Sequence, residues 1–343
     1  MRLFNLLKKF SLISIAMLMI ACGSDDESSQ TQLSDQSSEK QISVLATTPM
    51  LGEYVKQVAG DNIDVQVLMP YGSDPHHFEP SPQDVAKIES ADLVFYVGLK
   101  YETRPLLKLL ENTTNTNQTL IEIGEKINPI EFKEDDHDEH EGHGHDEEKE
   151  EHGEHGDKDE HEGHEGHDHG VYDPHFWFDP TRVSLAVDAI KIALVNIDPE
   201  NKDSYETSAN NYTAKLTELD VQTKDLISTI PADQRKFITT HEALGYLEAR
   251  YDVEVLAAII PSITTEDTAT PKQLVNVIEE IKEHEIKVLF MESESPTKAA
   301  EVIAQETGVT LVSGLWVETL QENQTYIDFM ESNVNIIVEN LKV

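Results

Sequence analysis

The stretch PENKDSYETSANNYTAKLTELDVQTKDLISTI, residues 199–230, has no internal glycine or proline and places Tyr205, Tyr212, Leu216, Leu219 and Leu226 at helical spacing. A single helix of about thirty residues is roughly 45 Å long, far more than a crossover inside a compact domain needs. It reads as a stiff connector between two lobes. The alternative is an ordinary surface helix broken in the middle.

Both flanks of this stretch alternate. On the N-terminal side, apolar strand-like runs at 42–48, 65–69, 93–97 and 120–123 are separated by helical patterns at 51–59, 82–90 and 105–110, and a further helix covers 181–196. On the C-terminal side, strands at 236–240, 253–258, 287–291 and 310–314 alternate with helices at 243–250, 272–284 and 297–307, and a last helix covers 325–341. Strands alternating with helices of about ten residues argue for βαβ units and parallel sheets. The expected fold is α/β, with two lobes, each a roughly four-stranded, mainly parallel sheet with helices, joined by a long rigid connecting helix. The N-terminal lobe is expected at 41–198, the connector at 199–230 and the C-terminal lobe at 231–343, with a cleft between the lobes.

The beginning of the chain is not part of that fold. Arg2, Lys8 and Lys9 precede an apolar run at 10–20, too short for an ordinary membrane span and the right size for the core of a secretory signal. Residues 1–21 are therefore expected to be a signal peptide. The run ends in Met19-Ile20-Ala21-Cys22-Gly23, which resembles the bacterial lipobox, with methionine where leucine is usual. The resemblance implies lipidation of Cys22 and a membrane anchor. Residues 22–40, rich in Ser, Gln and Asp, read as a flexible tether. Cys22 is the only cysteine, so no thiol remains for a disulfide, a redox motif or a thiolate metal site. A metal would have to be held by His, Asp or Glu.

The 343 residues carry 26 Lys+Arg against 66 Asp+Glu, a net charge of −40, which excludes a nucleic-acid partner held by neutralising its phosphates. The charge is concentrated. Residues 134–169 hold 18 acids, two lysines and ten histidines: His137, His140, His143, His145, His152, His155, His161, His164, His167 and His169. No apolar residue there could build a core, so the tract is a solvated charge run. Imidazoles interleaved with carboxylates also make a cation trap, and the tract is expected to act as a secondary metal-binding segment.

The tripeptide Asp-Pro-His occurs twice, at 74–76 and at 173–175. Proline fixes its own φ and pushes the preceding residue into an extended conformation, so both histidines are expected on stiffened loops that suit a ligand. In parallel α/β sheets ligands gather at the carboxyl ends of strands, and the first motif follows such a strand. His241 follows the apolar strand at 236–240, again at a strand's carboxyl end, and is expected to start a helix. Its neighbour Glu242 does not complete the zinc-peptidase pattern, because Ala-Leu-Gly follows. Glu318, just after the strand at 310–314, is on spacing alone one acid among 66.

Residues 74–80, 173–180 with the helix that follows, 240–246 (THEALGY), 290–293 (FMES) and 314–320 together resemble the metal-binding lipoproteins of bacterial zinc and manganese ABC importers, over about residues 42–342. Members of that family have two lobes and a rigid helix between them. The resemblance implies that His76, His175, His241 and Glu318 coordinate the metal. His76 is preferred to its neighbour His77 by the Asp-Pro-His alignment, and Glu318 stands where the family usually has aspartate. Manganese members tend to have glutamate at the third position. Three imidazoles suit four-coordinate Zn²⁺ better than Mn²⁺, although the affinity order of divalent metals places Cu²⁺ above zinc at any such site. His- and acid-rich loops at the place of the tract occur in zinc members.

The implied function is a high-affinity extracytoplasmic zinc-binding protein, monomeric and lipid-anchored to a bacterial membrane, either periplasmic or at the cell surface. It would deliver Zn²⁺ to an ABC importer permease and catalyse nothing itself. Rival readings are a zinc buffer or chaperone working through the tract, a manganese-type receptor of the same family, a metal-dependent hydrolase and, more weakly, an adhesin. Gly-x-Ser-x-Gly, phosphate-loop and zinc-peptidase signatures are absent from the sequence. Imidazoles ligate when neutral, so binding is expected to weaken below about pH 6.5.

Overall fold

Residue types that favour strands, in runs of four to seven, form eight parallel strands among the described residues, and each lies in one of two four-stranded sheets. The computed structural model describes residues 42–113, 118–132, 172–266 and 268–342. The expected signal peptide (1–21), the tether (22–40), Cys22 and the ten histidines of the 134–169 tract lie outside the described residues.

The first sheet contains β1 (Ser43–Ala46), β2 (Asp64–Val67), β3 (Leu93–Tyr96) and β4 (Thr119–Glu122), in the order β2-β1-β3-β4. Its helices are α1 (Pro49–Ala59), α2 (Pro82–Ser90) and α3 (Arg104–Thr113), followed after the undescribed segment by α4 (Pro180–Ile197). The second sheet repeats that plan. Strands β5 (Lys236–His241), β6 (Glu254–Ile260), β7 (Val288–Glu292) and β8 (Thr310–Leu315) take the order β6-β5-β7-β8. Between the sheets runs α5 (Lys202–Ser228), and the second sheet carries α6 (Gly245–Tyr251), α7 (Pro271–Glu283), α8 (Lys298–Thr307) and α9 (Tyr326–Leu341).

Both faces of each sheet are covered, and the strands show it residue by residue. Val44 and Ala46 of β1 and Leu93 and Phe95 of β3 enter one large core, whereas Leu45 and Val94 face a smaller core with Ile88 and Leu106. In the second sheet Phe237 and Phe290 join the large core, while Ile238 and Leu289 face Ile281 and Ile303. This is the period-two division expected of parallel sheets buried on both sides. The large core is shared by the two lobes. Helix α9 leaves the second sheet and packs on α5 and α1, with Tyr326 edge-on to Tyr54 at 5.3 Å and Phe329 beside Phe178 at 5.7 Å.

Helix α5 is continuous for 27 residues, about 40 Å, preceded by a 3-10 turn at Pro199–Asn201. Its buried face is Tyr205, Ala209, Tyr212, Leu216, Leu219, Thr223 and Ile227, with Leu226 at the margin because the 3.6-residue period carries 219 on to 223 and 227. Arg250 of α6 donates from Nε and Nη2 to the two carboxylate oxygens of Asp220 of α5, at 2.9 and 2.6 Å, and fixes the second lobe against the connector.

Candidate metal centre

The two Asp-Pro-His motifs fold in the same way because aspartate and proline act together. Asp74 Oδ1 accepts the backbone N–H of His76 at 2.9 Å, and Asp173 Oδ1 accepts that of His175 at 2.8 Å. Each aspartate thus closes an Asx turn over the φ that proline sets. The sequence reading gave this stiffness to proline alone. The first turn follows β2, and the second leads into α4 through Asp179, whose side chain caps Thr181 N at 2.8 Å before Pro180 at the first helical position.

His241 is the last residue of β5 and does not start a helix: α6 begins four residues later, at Gly245. The chain is still extended there: His241 lies opposite Ile260 in the ladder with β6, Glu242 N carries that pairing on to Ser262 O at 3.0 Å, and His241 N donates to Glu292 Oε1 at 2.9 Å. Strands β5 and β7 pair only at Ile238 and Leu289, and past that point the Glu292 side chain replaces the ladder.

The structure brings His76, His175, His241 and Glu318 together, with one nitrogen or oxygen from each lying within 4.8 Å of all the others. All four are buried, whereas His77 is exposed. Glu318 Oε1 stands 2.7 Å from His241 Nε2, 3.1 Å from His175 Nε2 and 3.4 Å from His76 Nε2. For comparison, donors at the corners of a tetrahedral zinc site with bonds of about 2.05 Å are separated by about 3.3 Å. The spacing is therefore that of a small four-donor shell. His76 Nε2, His241 Nε2 and Glu318 Oε2 are fully buried and have no hydrogen-bond partner. Buried polar atoms without partners are costly, and a cation among them would satisfy all three at once.

Carboxylates behind the rings select the tautomer. His175 Nδ1 lies 2.7 Å from Asp173 Oδ1 and His241 Nδ1 lies 2.5 Å from Glu292 Oε2, so Nδ1–H donates outward and, once the ring gives up its second proton, the Nε2 lone pair faces the centre. Burial by itself would lower the pKa of His175, but the Glu318 and Asp173 carboxylates outweigh it and raise the value to about 9. Burial likewise opposes the charge on His241, and Glu292 and Glu318 push it well above the ordinary imidazole value. Burial would raise Glu318, yet the facing His175 and His76 hold it well below the usual carboxylate range. Without metal, His175 and His241 therefore hold their protons more tightly than ordinary imidazoles do.

The supporting residues were not singled out by sequence reasoning. Glu292 lay in the quoted FMES segment without a role, and Asp173 was noted only as the partner of its proline. Gly245 also belongs here. A Cβ on it would stand 2.6 Å from Asp173 Oδ2, and Asp173 cannot swing aside without releasing His175. Gly245→Ala is therefore expected to weaken metal affinity by about tenfold, in the range usual for disturbed partners of ligand histidines. A competition titration showing unchanged affinity would contradict this.

Comparisons with known proteins bear on the family and the fold. The family described as ZnuA, zinc-uptake complex component A, periplasmic, matches residues 44–340. The manganese ABC transporter substrate-binding lipoprotein PsaA of Streptococcus mitis is 28% identical over 340 residues, covering 97% of each chain. The metal ABC transporter substrate-binding lipoprotein SsaB of Streptococcus sanguinis is 27% identical over 98% of this chain and 99% of its own. Among solved structures, the periplasmic zinc-binding protein TroA of Treponema pallidum superposes with a TM-score of 0.73 at 22% identity, covering 88% of this chain and 99% of its own, which bears on the fold. With nearly all of the described chain inside the matched span, the protein belongs to the ZnuA family, whose members are metal-binding components of ABC importers and not enzymes.

Proposed function

We propose that this protein is an extracytoplasmic, lipid-anchored receptor that binds Zn²⁺ with high affinity between its two lobes and delivers it to an ABC importer permease. His76, His175, His241 and Glu318 are its ligands. The observation that carries this reading is the buried set of three imidazole Nε2 atoms and one carboxylate, all within 4.8 Å of one another. Such a nitrogen-rich, four-donor shell matches zinc, whereas Mn²⁺ favours more oxygens and higher coordination. With every donor from the protein, no position is left open for an activated water, which separates a carrier site from a catalytic one.

One observation favours the manganese reading. Glu318 Oε2 is buried and unpartnered, so the carboxylate could chelate through both oxygens and supply a fifth donor. The relatives PsaA and SsaB are named for manganese and for metal respectively.

The tract at 134–169 serves in this proposal to gather cations near the site. Its flanks support that role. Glu131 and Tyr172 pair in an antiparallel bridge, and a cavity of about 690 Å³ beside them is lined by Glu131, Phe132, Asp173, Glu242 and Gly245. The test is metal-content analysis and competition titration of the protein lacking residues 1–40 and 134–169. One tight site that prefers zinc to manganese is the expected result. Preference for manganese would overturn the zinc assignment, and loss of all tight binding would favour the buffer reading.

A further inference from the structure

Glu318 sits on a segment that makes no ladder of its own. Backbone groups in such a segment need other partners, and here side chains supply them. Glu294 Oε1 accepts three successive N–H groups: Val317 at 2.9 Å, Glu318 at 2.9 Å and Thr319 at 3.3 Å. The carbonyls are taken from the other lobe, Val317 O by Trp177 Nε1 at 2.7 Å and Glu318 O by the Tyr101 hydroxyl at 3.1 Å. Asn333 of α9 closes both backbone groups of Trp316, at 3.0 and 2.6 Å.

We propose that Glu294 is the positioning residue of the metal centre: by gathering the N–H groups of residues 317–319 on one carboxylate oxygen, it sets where the Glu318 carboxylate stands among the three imidazoles. The assignment rests on the receptor reading, since it gives Glu294 its role through a ligand of that site. Glu294 follows Glu292 by two residues, so the end of β7 supports two of the four ligands, His241 through Glu292 and Glu318 through Glu294. Ser293 N between them donates to Leu315 O at 2.8 Å, which keeps this end of the strand registered on β8. Val317, Glu318 and Thr319 are all buried, so water cannot replace the lost acceptor unless the segment moves. A move of that segment carries Glu318 Oε1 away from the three imidazole nitrogens that it faces at 2.7 to 3.4 Å. The role needs an acceptor oxygen at this point, and glutamine supplies one.

The test compares Glu294→Ala and Glu294→Gln in the full chain, at one equivalent of Zn²⁺ or Co²⁺ against a chelator strong enough to strip weaker sites. Glu294→Ala should weaken Zn²⁺ binding by about 10- to 100-fold and alter the visible bands of bound Co²⁺, which report coordination geometry. Glu294→Gln should keep the affinity within about threefold and leave the bands unchanged, because the amide oxygen accepts the same N–H groups. An alanine variant with unchanged affinity and spectrum overturns the proposal, as does a glutamine variant that loses as much as alanine. If the alanine variant does not fold, Glu294→Asp is decisive, because its oxygen falls one methylene short. Aspartate should shift the Co²⁺ bands, and an unshifted spectrum with full affinity overturns the proposal. Absence of any tight zinc site in the unaltered protein would instead bring down the receptor reading itself.

Discussion

Replacing His175 with alanine is expected to weaken Zn²⁺ binding by at least about 100-fold. Zinc sites built from four protein ligands hold the metal with about 10 to 16 kcal/mol, so one ligand is worth about 3 kcal/mol, or somewhat more than two powers of ten. The environment of His175 raises the cost. Its ring nitrogens lie 2.7 Å from Asp173 Oδ1 and 3.1 Å from Glu318 Oε1, so truncation leaves the buried Asp173 carboxylate with the backbone N–H of residue 175 but without the ring donor, and removes a neighbour from Glu318. His77→Ala is the matched control. It is adjacent to His76 in sequence but exposed, and it should leave the affinity unchanged. A competition titration on both variants, with thermal unfolding of the metal-free proteins to confirm folding, checks the contrast. Tight binding retained by a His76→Ala, His175→Ala, His241→Ala triple variant would sink the ligand assignment.

Those residues differ in how far they could be read from the sequence, and the difference is one of range. His76 and His175 are declared locally, because the aspartate that closes each turn is two residues away. The strands are equally local: apolar runs such as Val44-Leu45-Ala46 and Val288-Leu289-Phe290 need both sheet faces covered, and helices on either side follow from that. The connector was legible from 3.6-residue periodicity without a breaker. Leu226, at helical spacing in the sequence, packs at the margin of the core, and its neighbour Ile227 takes the fully buried place, a choice that only packing makes. The start of α6 was misplaced because β5 stays paired with β6 through His241, opposite Ile260, a partner 19 residues away. Glu318 was visible only by resemblance. Its partners lie 24 residues away at Glu294 and 217 away at Tyr101, distances over which a pattern of types carries no information. Two of the four proposed ligands, His76 and His175, are thus written into local motifs, while most of the groups that orient the cluster are products of the tertiary fold.

That tertiary setting changes the expected pH response. An isolated imidazole would place the loss of binding below about pH 6.5, but the carboxylates around the cluster hold His175 at about 9 and His241 well above its ordinary value. At pH 7 the metal must therefore displace protons from buried imidazoles, and affinity should keep rising up to about pH 9. Each displaced proton contributes up to about tenfold per pH unit. The metal-free protein should respond in the opposite sense. A histidine whose folded pKa is raised contributes stability that is fully present below its unfolded value of 6.5 and is lost as pH rises through about 9. Glu318, held below its unfolded value of 4.5, contributes stability that is present above 4.5 and lost as pH falls through its folded value. The cluster's contribution to the metal-free Tm should therefore be greatest between about pH 4.5 and 6.5, and the rise in Tm on adding Zn²⁺ should grow toward pH 9. Competition titrations from pH 6 to 9 on protein lacking residues 134–169 isolate the buried site from the tract. Calorimetry in buffers of different ionisation enthalpy counts the released protons. An affinity that is flat between pH 7 and 9, with no proton released, would mean that the imidazoles are already neutral before metal arrives, and that the carboxylates around them orient the rings without charging them.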